Sequence, residues 1–184
     1  GLMVFLFRLL SLLPLSLLHA LGGALGRLVY WLSPTYRRHL RENMAQAGID
    51  VALRGAVAAE TGKQMIELAR IWMRPLDEAV PLVAEVTGWE HVEAARAAGK
   101  GIVFLTPHLG CFEITAQYLS SFGDITVLYR EPKSATANEL ILMGRKRAQL
   151  HLAPADLSGV RALIKALKDR TIQSAGLDVF VNEP

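Results

Sequence analysis

His108 and Glu113 are the pair in this sequence whose types and spacing could move a proton. They lie in Thr106-Pro107-His108-Leu109-Gly110-Cys111-Phe112-Glu113, after the apolar run Ile102-Val103-Phe104-Leu105 and before a helical period through Ile114, Tyr118 and Leu119. A histidine just past a strand, with a carboxylate at the start of the next helix, sits where α/β folds bind ligands and do chemistry. On a continuous helix, residues five apart would point to different faces, so the pair needs a turn, which Pro107 and Gly110 supply. Glu113 then orients the imidazole and stabilises its protonated form, leaving the other ring nitrogen to take a proton from a hydroxyl. The attacking group is the acceptor's own oxygen.

Spacing alone does not single out this pair, because His151 and Asp156 repeat it. That second match has neither a strongly apolar strand before it nor a clear amphipathic helix directly after it, and is read as chance. The single cysteine, Cys111, excludes an internal disulfide and any zinc site built on two thiolates. It is read as a small apolar residue rather than a nucleophile, since attack by an acceptor hydroxyl needs no covalent intermediate. Glycine-rich nucleotide fingerprints, the nucleophile elbow and the His-Glu-x-x-His zinc motif are absent. No metal or cofactor is called for.

The elements that must hold the pair follow from periodicity. Ile102–Leu105 and Ile125–Tyr129 read as buried strands, and the first, being apolar throughout, is expected to be covered on both faces. Ser33-Pro34 reads as an N-cap and first-turn proline opening a helix that ends near Gly48. Residues 55–74 have a helical period in Val57, Met65, Leu68, Ile71 and Trp72; residues 89–98, 135–148 and 158–168 are helical as well. The order predicts an α/β domain with a largely parallel sheet flanked by helices.

Of the 184 residues, 52% are hydrophobic and 20% charged, and the net charge is only +3. Such a chain builds a core, and its charge argues against a nucleic-acid partner. The apolar excess is concentrated at the N-terminus, where residues 9–26 carry no formally charged side chain. That length suits a membrane helix, although Pro14, His19 and three glycines make an interfacial or tilted helix nearly as good a reading. Only Arg8 precedes this run, whereas Arg27, Arg37, Arg38 and Arg41 follow it, which disfavours a signal peptide and predicts that the rest of the chain faces the cytoplasm. The expected organisation is a membrane-anchoring helix over 1–32, a catalytic domain over 33–170 and an atypical tail over 171–184.

The block Gly-Lys-Gly-Ile-Val-Phe-Leu-Thr-Pro-His-Leu-Gly-Cys-Phe-Glu at 99–113 resembles the lipid A late acyltransferases, the lauroyl and myristoyl transferases of lipopolysaccharide assembly. Tyr36-Arg37-Arg38, Leu128-Tyr129-Arg130-Glu131-Pro132-Lys133, Gly144-Arg145 and Ser158-Gly159-Val160-Arg161 fall in the order that family shows, and the resemblance covers roughly residues 3–168. It implies a glycerolipid-acyltransferase-like domain at the cytoplasmic face of the inner membrane. There a fatty acyl group passes from acyl carrier protein, or from coenzyme A, to a hydroxyl of a lipid A precursor. In that frame His108 is the general base and Glu113 its orienting partner. Arg145 would bind the developing oxyanion or a substrate phosphate, Arg130 would contact phosphate, and the basic cluster Arg145-Lys146-Arg147 could instead dock the acidic carrier protein.

The family's domain continues through a further strand and an Asp-Gln segment that this sequence lacks, and the last ten residues resemble a segment of the D-isomer 2-hydroxyacid dehydrogenases. Without a dinucleotide fingerprint that tail does not make an oxidoreductase. The expected consequence is a sheet with an unprotected edge, against which Leu177 to Val181 either pairs as a replacement edge strand or stays mobile. A glycerophospholipid or glycolipid acyltransferase with the same chemistry, and an inactive membrane-associated fragment, are the competing readings.

Overall fold

The computed structural model describes residues 1–107, 109–146 and 149–168, and the backbone of 174–177. The chain divides into two compact units, one of Leu2 and Val4–Met73, the other running from Arg74 onward.

The first unit is helical: α1 (Leu2–Ser11), α2 (Leu15–Leu32), α3 (Pro34–Gln46) and α4 (Arg54–Met73). The apolar N-terminal segment is interrupted at Pro14, which lacks an N–H and holds ψ at 144°, so the chain leaves α1 and restarts as α2. Ser33 caps α3 as expected, its hydroxyl accepting from the Tyr36 N–H at 3.2 Å with Pro34 in the first turn. Tyr30, Leu40, Met44 and Ala58 form one core cluster of this unit, and Leu18, Ala69, Ile71 and Trp72 are buried in it as well.

On α4 the expected Ile71 and Trp72 are buried and Val57 packs against the core, but Met65 departs from the expected face. Met65 is 61% exposed, and the buried stripe includes Ala58, Ala59, Gly62 and Ala69. The reason is the closeness of α2, whose Gly22 and Gly26 meet Gly62 backbone to backbone. A Cβ on Gly62 would collide with the Gly22 carbonyl oxygen and stand 2.7 Å from the Gly26 nitrogen. Small residues hold this seam because large ones do not fit. Gly62→Leu should therefore cost about 1–3 kcal/mol by overpacking, read as a shift of the denaturant midpoint. An unchanged midpoint would mean that the helices do not approach so closely.

The second unit is α/β. In chain order it holds α5 (Leu76–Ala79), α6 (Trp89–Ala97), β1 (Ile102–Leu105), α7 (Glu113–Ser120), β2 (Ile125–Tyr129), α8 (Ala135–Arg145), β3 (Leu150–Pro154), α9 (Leu157–Lys168) and β4 (Ser174–Leu177). The sheet is entirely parallel in the order β1-β4-β2-β3. Leu119 of α7 packs with Ile125, Val127 and Leu150, while Leu163 of α9 packs with Leu128 and Ala153. Since alternate residues of a strand face opposite ways, β2 is covered on both sides.

Three expectations are corrected here. Burial on both faces belongs to β2 and not to β1, which lies at the sheet edge with Val103 and Leu105 exposed, the latter at 76%. Leu150–Pro154 is a strand, although its apolar pattern is interrupted by His151. The C-terminal strand is Ser174–Leu177, and it runs inside the sheet between β1 and β2, pairing Ile102 with Ser174 on one side and Ile125 with Ser174 on the other. Residues 178–181 lie outside the described residues.

Candidate active site

At the C-terminal end of β1 the chain turns sharply into α7. The Leu109 N–H donates to the Pro107 carbonyl at 2.8 Å, the Phe112 N–H to the Gly110 carbonyl at 3.0 Å, and Gly110 adopts φ 58°. The expected turn is thus built by the expected residues, glycine taking the left-handed conformation. His108 lies outside the described residues, as does Arg147.

Glu113 is the first residue of α7 and is 5% exposed. Its carboxylate meets the guanidinium of Arg145, the last residue of α8. Nε donates to Oε2 at 3.1 Å, and the second nitrogen donates to Oε1, giving the two-point pairing that arginine makes best. One turn along the same face of α7, the fully buried Gln117 donates from Nε2 to the Gly144 carbonyl at 3.0 Å. A single helical face of α7, at i and i+4, therefore grips the end of α8 twice.

Arg145 also stands over the Tyr129 ring, 5.8 Å from its centre. The Tyr129 hydroxyl donates to Asn138 Oδ1, and Asn138 Nδ2 donates to Glu131 Oε1. Burial first and the Glu131 charge second push the Tyr129 phenol above its ordinary range, against the smaller opposing pull of Arg145, so it stays a donor at neutral pH. The arrangement fixes Arg145 from two sides at the carboxyl ends of β1 and β2.

A narrow open cleft of about 40 Å³ borders this pair, lined by Phe104, Thr106, Phe112, Glu113, Leu119 and Arg145. Phe104 and Leu119 are shared with a neighbouring apolar groove of about 370 Å³ that continues past Tyr118 to Trp89, Val92 and Val86. Trp89 packs against Phe122 at 4.5 Å between ring centres and against Tyr118 at 5.7 Å. Charge at one end and apolar walls beyond it suit an amphiphile with a polar reacting group.

Arg130 is exposed and lines a different cleft, with Tyr129, Glu131, Pro154 and Asp156 at the ends of β2 and β3. The structure thus brings Glu113 and Arg145 together and leaves Arg130 on the far side of Tyr129. The second His-x4-acid match separates into two unrelated contacts. His151 Nε2 meets Asp124 Oδ1 at 3.2 Å, while Asp156 caps α9, accepting from the N–H groups of Ser158 at 2.8 Å and Gly159 at 3.1 Å and from the Ser158 hydroxyl. Among the described residues, no group of three or more His, Cys, Asp or Glu side chains is placed to hold a metal ion.

Those bonds to Asp156, the Ser158 hydroxyl foremost, hold its carboxyl below the usual carboxylate range. A lowered folded-state pKa adds stability above the unfolded value and loses it as pH falls through the folded value. Asp156→Ala should accordingly lower Tm at neutral pH, with the gap to the wild type closing in acid below the ordinary carboxylate range. A gap independent of pH would show that the carboxylate does not act as the cap.

Gln117, Tyr129 and Asn138 carry no assigned role in the sequence reading. The signal for Gln117 was present, since it lies one helical turn beyond Glu113 and shares its face. The other two depend on contacts that only the folded sheet makes.

A comparison with the curated proteins returned no match. The family model described as bacterial lipid A biosynthesis acyltransferase matches residues 1–173. With a match over that much of its length, the chain belongs to the bacterial lipid A biosynthesis acyltransferase family.

Proposed function

We propose that this chain transfers a fatty acyl group from acyl carrier protein to a hydroxyl of a lipid A precursor at the cytoplasmic face of the inner membrane, with His108 as general base. The observation that carries the reading is the buried Glu113–Arg145 pair at the start of the helix after β1, beneath a cleft that leads into apolar walls. His108 takes the proton of the acceptor hydroxyl as its oxygen attacks the thioester carbonyl. The tetrahedral oxyanion collapses, the carbon–sulfur bond breaks, and the departing thiolate takes the proton back from the imidazolium. No covalent enzyme intermediate is required.

Glu113 orients the imidazole, and Arg145, engaged by that carboxylate and stacked on Tyr129, keeps Glu113 in place. Arg130, exposed beyond Tyr129, is the residue to meet an acceptor phosphate. The apolar groove past Phe104 and Leu119 suits the acyl chain.

The test is transfer of a labelled acyl group by membranes containing this chain, offered either acyl carrier protein or coenzyme A thioester, with a lipid A precursor and a lysophospholipid as acceptors. Label on the lipid A precursor, drawn from the carrier protein, is the expected result. Label on the phospholipid would assign the glycerolipid reading instead, and no transfer by folded protein would leave the non-catalytic fragment.

A further inference from the structure

We propose that α1 and α2 lie in the plane of a single anionic phospholipid leaflet, with their outer apolar faces in the acyl region, and that α2 does not cross the bilayer. The inference deepens the membrane-bound part of the proposed function and rests on it. By length and composition α2 passes for a membrane span: it has 18 residues, among them one arginine, and is near the N-terminus. Its packing contradicts that use.

Along one face α2 is joined to α4 with no side chains between them at Gly22, Gly26 and Gly62. A helix held at backbone contact takes its partner to whatever depth it occupies. α4 carries Arg54, Glu60, Lys63, Glu67 and Arg70. Lys63 runs beside the midpoint of α2, its Cε only 3.5 Å from a Cβ built on Gly23, and its ammonium is paired with Glu60 at 2.6 Å. Glu67 meets His19 of α2 at 2.8 Å. Were α2 to span, these groups would stand in the middle of the hydrocarbon, where ionisable side chains are strongly disfavoured. At about 27 Å for 18 residues, α2 is also short for a hydrocarbon core of about 30 Å.

Laid in the interface, the same unit has no such conflict. Leu21, Leu25 and Leu28 form an exposed stripe on α2 at helical spacing, and Leu2, Phe5 and Leu9 form another on α1. α1 is fastened to the same helix, through a Phe7–Trp72 stack at 6.3 Å and a 3.1 Å bond from the Arg70 guanidinium to the Ser11 carbonyl. Charge names the occupant. Residues 1–41 contain five arginines, Arg8, Arg27, Arg37, Arg38 and Arg41, and no acidic side chain. Apolar faces with purely basic charge around them complement an anionic lipid surface.

The full chain in a Cys111→Ser background, carrying Gly1→Cys or Thr35→Cys, tests the topology in sealed inside-out membrane vesicles treated with an impermeant maleimide. Both positions are expected to label without detergent, because both ends of α2 stay on one side. A membrane-bound protein whose position 1 labels only after the vesicles are opened would overturn the in-plane arrangement while leaving membrane attachment standing. Recovery of the protein in the soluble fraction would overturn both. A second measurement is flotation with phosphatidylcholine–phosphatidylglycerol vesicles containing no lipid A precursor, so that catalysis plays no part. Leu25→Glu/Leu28→Glu, at two exposed positions, should bind about tenfold or more weakly with unchanged circular dichroism. Wild-type binding should weaken in salt. Undiminished flotation of the double variant would rule out this face as the contact.

Discussion

Replacing His108 with alanine is expected to lower acyl transfer by about a hundredfold to ten-thousandfold, the range a positioned general base contributes, with the donor's KM little changed. The acceptor hydroxyl is a poor nucleophile until its proton is taken, and in the sequence this histidine follows β1 by three residues and precedes the buried Glu113 by five. A loss confined to KM would assign His108 to binding, and wild-type turnover by a folded variant would remove it from the mechanism.

How far the sequence disclosed the fold depended on whether a segment's own pattern or its neighbours decided it. β1 and β2 were legible because a short run of four or five mostly apolar, β-favouring residues bounded by turn signals has few other uses. β3 was not, because His151 breaks its run and only pairing with β2, from Ile125–Leu150 to Tyr129–Pro154, makes it a strand. β4 has no apolar run at all, and its central place follows from the two strands that accept it. The face of α4 was misjudged at Met65 for a related reason. Hydropathy periods find large apolar residues, whereas a seam at backbone contact is made of glycine and alanine.

The site divides in the same way. A strand end, a turn and a carboxylate at a helix start are local, and they pointed to Glu113 from spacing and position alone. Arg145 entered through the family resemblance, and its partnership with Glu113 spans 32 positions, bridged by β2 and α8. No local pattern encodes that contact.

The Glu113–Arg145 pair yields the second large effect, and it separates stability from catalysis. Glu113→Ala should destabilise the protein by about 3–5 kcal/mol, because it takes from the Arg145 guanidinium, whose side chain is 11% exposed, the buried carboxylate that it meets at two points. Denaturant unfolding reads this directly. Glu113→Leu/Arg145→Met removes both charges and refills the volume, and should regain most of the lost stability, less the part that Arg145 owes to its position over Tyr129. Acyl transfer should stay low in the double variant, since a leucine cannot orient an imidazole. Stability that adds independently over the two sites would show the pair to be uncoupled, and recovered turnover in the double variant would show that the carboxylate serves the fold alone. The combination of restored folding and absent catalysis is the outcome expected of an orienting carboxylate held by its own buried arginine.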